Sequence, residues 1–238
     1  MGKIAYSSTV SNIRGKVGTN VYSKGRSGPT LRIKAPVKNP KTSAQTGVRG
    51  NLRKASKLYE GMTSSQAKAW TEYGDQQSRS NPVTGDQYTL SGINAFTELA
   101  TKFLQVNPAG TVPMDPPSAE FPGDTVTLTA SISSGTITFT ASGANAAGVT
   151  TEILLEPLPS RNRQPSVKAL RHQVFKAFAS GSLTQAVSVP PGFYAAGYRF
   201  VKTATGQMTP IVMMGVQQVL TLEAGGDQGE GEAEAAAA

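Results

Sequence analysis

Cysteine is absent from this 238-residue chain, and histidine occurs once, at His172. Without cysteine, the chain can form neither a disulfide nor a thiolate nucleophile or metal ligand. A single histidine leaves only carboxylates to complete a metal site, so we expect no metal and no other cofactor. The lack of cysteine also fits synthesis in a reducing cytoplasm.

Long apolar runs are absent as well. No segment approaches the roughly 20 apolar residues of a membrane-spanning helix. The first residues have no apolar stretch typical of a secretory signal. We therefore expect no membrane partner and no export signal, although a hydrophobic content of 38% is sufficient for small cores.

Acidic residues are missing from the first 59 positions. The first carboxylate is Glu60, and 13 of the 23 Lys and Arg residues precede it. Residues 60–222 contain ten bases and ten acids, whereas residues 223–238 contain five acids and no base. Because such an unopposed charge repels itself, we expect the basic segment to bind an assembly partner or nucleic-acid phosphates. The candidate binding residues are Arg14, Lys16, Lys24, Arg26, Arg32, Lys34, Lys38 and Lys41.

The basic segment itself has the pattern of extended chain. Apolar and cationic residues alternate over 30–34, which places Leu31 and Ile33 on one face and Arg32 and Lys34 on the other. Residues 19–23 are the predicted partner strand across a glycine-containing turn at 24–28. A lone hairpin is marginal in water, so it needs support from helices or from another subunit.

Three helices are predicted next. Capping-box spacing at 42–45 and again at 63–66 marks two helix starts, and Ser91 is the predicted cap of a third helix. We predict a loop at 74–90. The positions predicted to face inward are Val48, Leu52, Ala55 and Tyr59, then Ala67, Trp70 and Tyr73, then Phe96, Leu99, Ala100 and Phe103.

The rest of the chain changes character after a proline-rich stretch. Four prolines within 106–118 predict a stiff linker. About seven short alternating segments follow over 119–222, which is typical of an immunoglobulin-like or fibronectin-like sandwich, with Tyr194 or Tyr198 supplying a tyrosine corner. The predicted layout is an arm or hairpin at 1–38, a helical domain at 39–105, a linker at 106–118, a sandwich at 119–222 and a disordered acidic tail at 223–238.

No pattern in the chain indicates catalysis. His172 has no evident orienting partner in the sequence, and we interpret it as an exposed strand residue. Glu152 and Glu156 flank an apolar triplet and are predicted to mark the ends of a strand rather than a glycosidase pair. The glycines near the start lack the ending of a phosphate-binding loop. We therefore expect no enzymatic activity.

The first two helices are also a poor match to a helix-turn-helix reader. The cations Arg49, Arg53, Lys54 and Lys57 lie on the first helix, while the second, which reads bases in that motif, contributes only Lys68. Sequence-specific DNA recognition is therefore disfavoured, while non-specific phosphate contact remains open.

Three stretches resemble a group of proteins encoded by tailed phages and prophages. They are residues 13–18 with 21–23, residues 39–45 with Arg49 and positions 63, 66, 69 and 70, and residues 91–96. The resemblance covers about the first 105 residues. It implies phage origin and a place in the virion, but no activity. The predicted immunoglobulin-like domain is similar to those appended to many phage capsid and tail proteins.

Taken together, these patterns predict an α+β chain that acts as a phage virion structural protein, either a capsid decoration protein or a minor capsid protein. Its partners would be other virion proteins, such as a major capsid protein or further copies of itself. It would be made in the bacterial host cytoplasm. Two alternatives remain open, namely a non-specific nucleic-acid-binding protein and an adhesin that binds host surfaces or glycans through 119–222.

Overall fold

The structure is a computed structural model that describes residues 2–3, 13–25, 28–34, 39–80, 86–133 and 135–220. Over these residues the chain is a mixed α+β protein with three helices and four antiparallel sheets. It divides into two compact units, residues 1–46 and residues 47–238. None of the helices in the described ranges combines the length and the apolar character of a membrane span.

The first unit contains one four-stranded sheet with the order β1-β4-β3-β2. Its strands are β1 (Gly2–Lys3), β2 (Gly15–Val17), β3 (Asn20–Gly25) and β4 (Gly28–Ile33). The predicted hairpin is confirmed, since β3 and β4 pair in antiparallel register from Asn20↔Ile33 to Gly25↔Gly28. Thr30 is the one buried residue among those described in this sheet.

The three helices are α1 (Ser43–Glu60), α2 (Ser64–Gln76) and α3 (Gly92–Val106). The second predicted cap is confirmed: the Thr63 hydroxyl accepts a hydrogen bond from the N–H of Gln66, whose side chain accepts one from the N–H of Thr63. Within the predicted loop at 74–90, β5 (Ser78–Ser80) pairs with β6 (Gln87–Thr89). Residues 81–85 of that loop lie outside the described residues.

The helical core is built on α3. Its predicted stripe is confirmed, with Phe96, Leu99, Ala100 and Phe103 all buried, and Trp70 from α2 packs edge-on against Phe96. The prediction for α1 is only partly correct. Ala55 is buried, but Val48 and Leu52 are 58% and 48% exposed, because no described side chain covers the amino-terminal half of this helix.

The proline-rich stretch at 106–118 packs against the helices, where the sequence predicts a stiff spacer. Val112 is buried in the helical core, and the Trp70 indole N–H donates to the Met114 carbonyl at 2.7 Å. The Gln66 amide donates to Asp115 at 3.3 Å. Apolar burial and these two hydrogen bonds therefore hold the segment in place.

Two sheets follow and share one apolar core. The first has the order β11-β8-β7 and the second the order β10-β9-β12-β13. The strands are β7 (Leu128–Ser133), β8 (Thr136–Ala141), β9 (Val149–Leu158), β10 (Arg171–Lys176), β11 (Thr184–Ser188), β12 (Gly192–Lys202) and β13 (Val212–Val219). Ile137 and Phe139 of one sheet pack with Ile153, Ala196 and Tyr198 of the other. The Tyr194 hydroxyl donates to the Pro190 carbonyl at 2.8 Å, the contact predicted for a tyrosine corner.

The helices and the β-rich region meet within the second unit. The Asn107 amide at the end of α3 donates to the Thr203 carbonyl at 3.0 Å. Gly206, with φ of +76°, lies so close to α3 that an added Cβ would come within 2.3 Å of the Leu99 carbonyl oxygen. Only glycine allows this turn to approach the helix backbone so closely.

Candidate functional site

The predicted cationic residues are distributed over and around the amino-terminal sheet. Lys16 is exposed on β2, Arg32 is exposed on β4, and Lys34 is exposed directly after β4. Arg14 and Lys41 are exposed outside strands, and Lys24 belongs to β3. Arg26 and Lys38 lie outside the described residues.

Strand register places two of these cations on one face of the sheet. Lys16 pairs with Val21, and Val21 pairs with Arg32, so the three residues form a row across β2, β3 and β4. Directly paired residues point to the same face, so Lys16 and Arg32 are separated by two strand spacings, or about 10 Å. That distance is about one Debye length at 0.1 M salt, so their repulsion is only partly screened.

The opposite face of the sheet is largely apolar, although the register also places Lys24, paired with Pro29, on it. Val17, Asn20 and Ile33 form one row on this face, and Tyr22 and Leu31 belong to the next. Val17 is 63% exposed and Ile33 is 78% exposed. A sheet normally buries its apolar face against a second layer, and no described side chain of this unit supplies that layer.

The cations of this sheet also lack acidic partners. Among the described residues, Arg14, Lys16, Arg32, Lys34 and Lys41 have no carboxylate oxygen within 4.0 Å. The sequence explains this, because unit 1–46 has nine basic residues and no acid. The structure thus presents a sheet with a cationic face and a largely apolar face, and neither is compensated within the described residues.

A second concentration of charge is buried between α3 and the larger sheet. Glu152 of β9 is 1% exposed, and its carboxylate accepts hydrogen bonds from Lys102 Nζ at 2.9 Å and Arg199 Nε at 2.6 Å. Nδ1 of His172 lies 3.1 Å from the same carboxylate. We call Glu152, Lys102, Arg199 and His172 the buried charge cluster. It ties helix α3 to strands β9, β10 and β12.

The ionisation of this cluster follows from its contacts. Burial opposes the charged form of Glu152, but hydrogen bonds from His172 and Arg199 and the charge of Lys102 outweigh it and lower the Glu152 pKa to about 2. Burial lowers the pKa of Lys102, and the adjacent Glu152 carboxylate opposes that decrease. The cluster therefore has a firmly ionised carboxylate at its centre.

Two interpretations from the sequence require correction here. Glu152 and Glu156 do not mark strand ends, because both lie inside β9 (Val149–Leu158). His172 is a partly exposed strand residue, as predicted, but it does have a partner in Glu152. The distance along the chain between positions 152 and 172 hides this contact. The one available signal was an acid inside an apolar strand, which must be paired if it is buried.

Comparisons with known proteins give little further information. No protein-family model matches the chain, and no curated protein matches it. A solved structure of an entomopoxvirus fusolin in complex with zinc is similar at 13% identity and a TM-score of 0.27, covering 84% of this chain and 72% of that one. The structure of the fusolin of Anomala cuprea entomopoxvirus spindles is similar at 13% identity and a TM-score of 0.26. The match covers 79% of this chain and 81% of that one. At these TM-scores, no assignment follows.

Proposed function

We propose that this chain is a structural protein of a phage virion, either a capsid decoration protein or a minor capsid protein. The observation that supports this most is the amino-terminal sheet, which exposes both a cationic face and a largely apolar face. A virion partner with acidic groups and an apolar surface would neutralise one face and cover the other. A further copy of this chain could serve as that partner. In this proposal the chain acts through contact area and charge, without catalysis.

The β-rich region supports the proposal as the displayed part of the protein. Counted from β7, the first, second and fifth strands form one sheet, and the third, fourth, sixth and seventh form the other. We infer an immunoglobulin-like or fibronectin-like sandwich from this order and from the tyrosine corner at Tyr194. Packing of the helices against this region suggests that the sandwich and helices are presented as one block.

Incorporation into particles tests this function. In a phage that encodes the chain, Arg32→Glu combined with Lys34→Glu should lower the amount of protein in purified particles at least tenfold. The matched control is Arg161→Glu with Arg163→Glu, which reverses two exposed cations in the β-rich unit. The control should be incorporated normally. Wild-type incorporation of the Arg32/Lys34 variant would contradict the proposal.

The cationic face also favours a second function, non-specific binding of nucleic acid. Lys16, Arg32 and Lys34 are exposed and free of described carboxylates, as phosphate contacts require. This alternative predicts a gel shift of any duplex DNA at about 50 mM salt, with affinity that falls steeply as salt rises. Absence of a shift at that salt would eliminate it.

A further inference from the structure

A cleft opens within the second unit, where helices α2 and α3 meet the turns of the β-rich region. Its volume is about 390 Å³, within the usual size range of small-molecule sites. Its charged lining residues are Arg79, Glu98, Glu120 and Arg199. Uncharged polar residues, such as Gln77 and Gln207, and apolar residues, among them Phe121, complete the wall.

Arg199 connects this cleft to the buried charge cluster. Its Nε atom donates to the Glu152 carboxylate at 2.6 Å, and its side chain remains 20% exposed. Among the described residues, no acceptor hydrogen-bonds its two terminal Nη atoms. A guanidinium held in this way has lost side-chain freedom before any ligand arrives, which lowers the entropy cost of binding.

The charges around the cleft leave Arg199 available to an anion. Arg79 and Glu98 neutralise each other at 3.0 Å. The single carboxylate of Glu152 is shared between the side chains of Lys102 and Arg199, so it does not neutralise Arg199 alone. Glu120 is the remaining lining carboxylate, and it is exposed and unpaired among the described residues.

We propose that this cleft binds a small organic carboxylate, with the two Nη groups of Arg199 donating to its two oxygens and Phe121 contacting its apolar part. Guanidinium and carboxylate match as a planar pair with two parallel hydrogen bonds. Glu120 at the cleft repels the ligand charge and limits affinity. All residues that line this cleft belong to the second unit, whereas the particle test changes Arg32 and Lys34, so the two tests can fail independently.

The direct test is calorimetric titration of the full chain with N-acetyl-phenylalanine and, as the matched neutral probe, N-acetyl-phenylalanine amide. We expect a Kd of about 1 mM or below for the acid, which is typical of one charge-assisted contact plus a ring. The amide should bind at least tenfold more weakly. Equal affinities for acid and amide, or no heat with the acid at about 20 mM, well above that Kd, would overturn the proposal.

Variants then locate the site. Glu120→Gln should tighten binding of the acid about threefold, because the substitution removes a nearby like charge. The control is Glu72→Gln on α2, which does not line the cleft and should leave the affinity unchanged. Arg199→Lys keeps the cation but loses the paired donors, and should weaken binding about tenfold in protein that retains native Trp70 fluorescence. Unchanged affinity in both Glu120→Gln and Arg199→Lys would place the ligand elsewhere and contradict the assignment.

Discussion

Removing the central carboxylate of the buried charge cluster is the most informative stability experiment. The substitution Glu152→Gln keeps the size of the side chain but leaves Lys102 and Arg199 next to a neutral amide. Both cations are largely buried, so water cannot replace the lost charge. Breaking a buried ion pair from one side typically costs about 3–5 kcal/mol.

The pKa of Glu152 gives a similar magnitude. The carboxyl has a pKa of about 2 in the folded protein against an ordinary value of 4.5. A difference of this size corresponds to about 3 kcal/mol of stability at neutral pH. Because the folded pKa is the lower one, this contribution is complete above the unfolded pKa and is lost as the pH falls from about 4.5 towards 2.

Urea unfolding at pH 7 and at steps down to pH 2 measures both quantities. The wild-type protein should lose about 3 kcal/mol of its free energy of unfolding over the acid range through this group. The Glu152→Gln variant should have a free energy of unfolding about 3 kcal/mol lower at pH 7 and should lack this part of the acid dependence. The control is Glu156→Gln on the same strand, where the amide oxygen can still accept from the Ser166 N–H. If the free energy of unfolding of Glu152→Gln lies within about 1 kcal/mol of the wild-type value and its pH profile is unchanged, the argument is refuted.

Further predictions concern the contacts that join the parts of the second unit. Gly206→Ala should lower the free energy of unfolding by at least about 2 kcal/mol because its Cβ would collide with the α3 backbone. The control Gly181→Ala, which has open space around it, should change that free energy by less than about 1 kcal/mol. Tyr194→Phe should cost about 1 kcal/mol through loss of the hydrogen bond to Pro190; a cost near zero would show that water replaces it. Fluorescence of Trp70, the only tryptophan, and circular dichroism of the sheets should give coincident urea transitions. Separate transitions would show that the helices and the β-rich region unfold independently.

Local patterns in the sequence were sufficient to predict most elements. The capping box at Thr63, the stripe on α3 and the alternation in β4 are set by residues within one or two turns or one strand, and the structure confirms them. The hydrogen bond of the Tyr194 hydroxyl was also predictable, because its acceptor, the Pro190 carbonyl, lies only four residues earlier. These features depend on capping, periodicity and short-range hydrogen bonds.

Long-range contacts account for what the sequence did not reveal. Glu152 meets Lys102 and Arg199 from about fifty residues away in either direction, and no spacing rule predicts such a meeting. The helical periodicity of α1 correctly indicates an apolar stripe, but it cannot tell whether Val48 and Leu52 are covered within the chain. Alternation in β4 placed Leu31 and Ile33 opposite Arg32 and Lys34, while the extension of that largely apolar face to Val17 and Tyr22 required the strand register. The predicted acidic tail at 223–238 lies outside the described residues.

Hydrogen exchange on the amino-terminal sheet, in free protein and in assembled particles, tests the central claim most directly. If this sheet depends on a partner for its second layer and its counter-charge, amides of β3 and β4 should exchange quickly in the free chain. Their exchange should slow at least a hundredfold in particles, while β9 and β12 stay protected in both. Amides of β3 and β4 that are as protected as those of β9 in the free monomer would contradict the account.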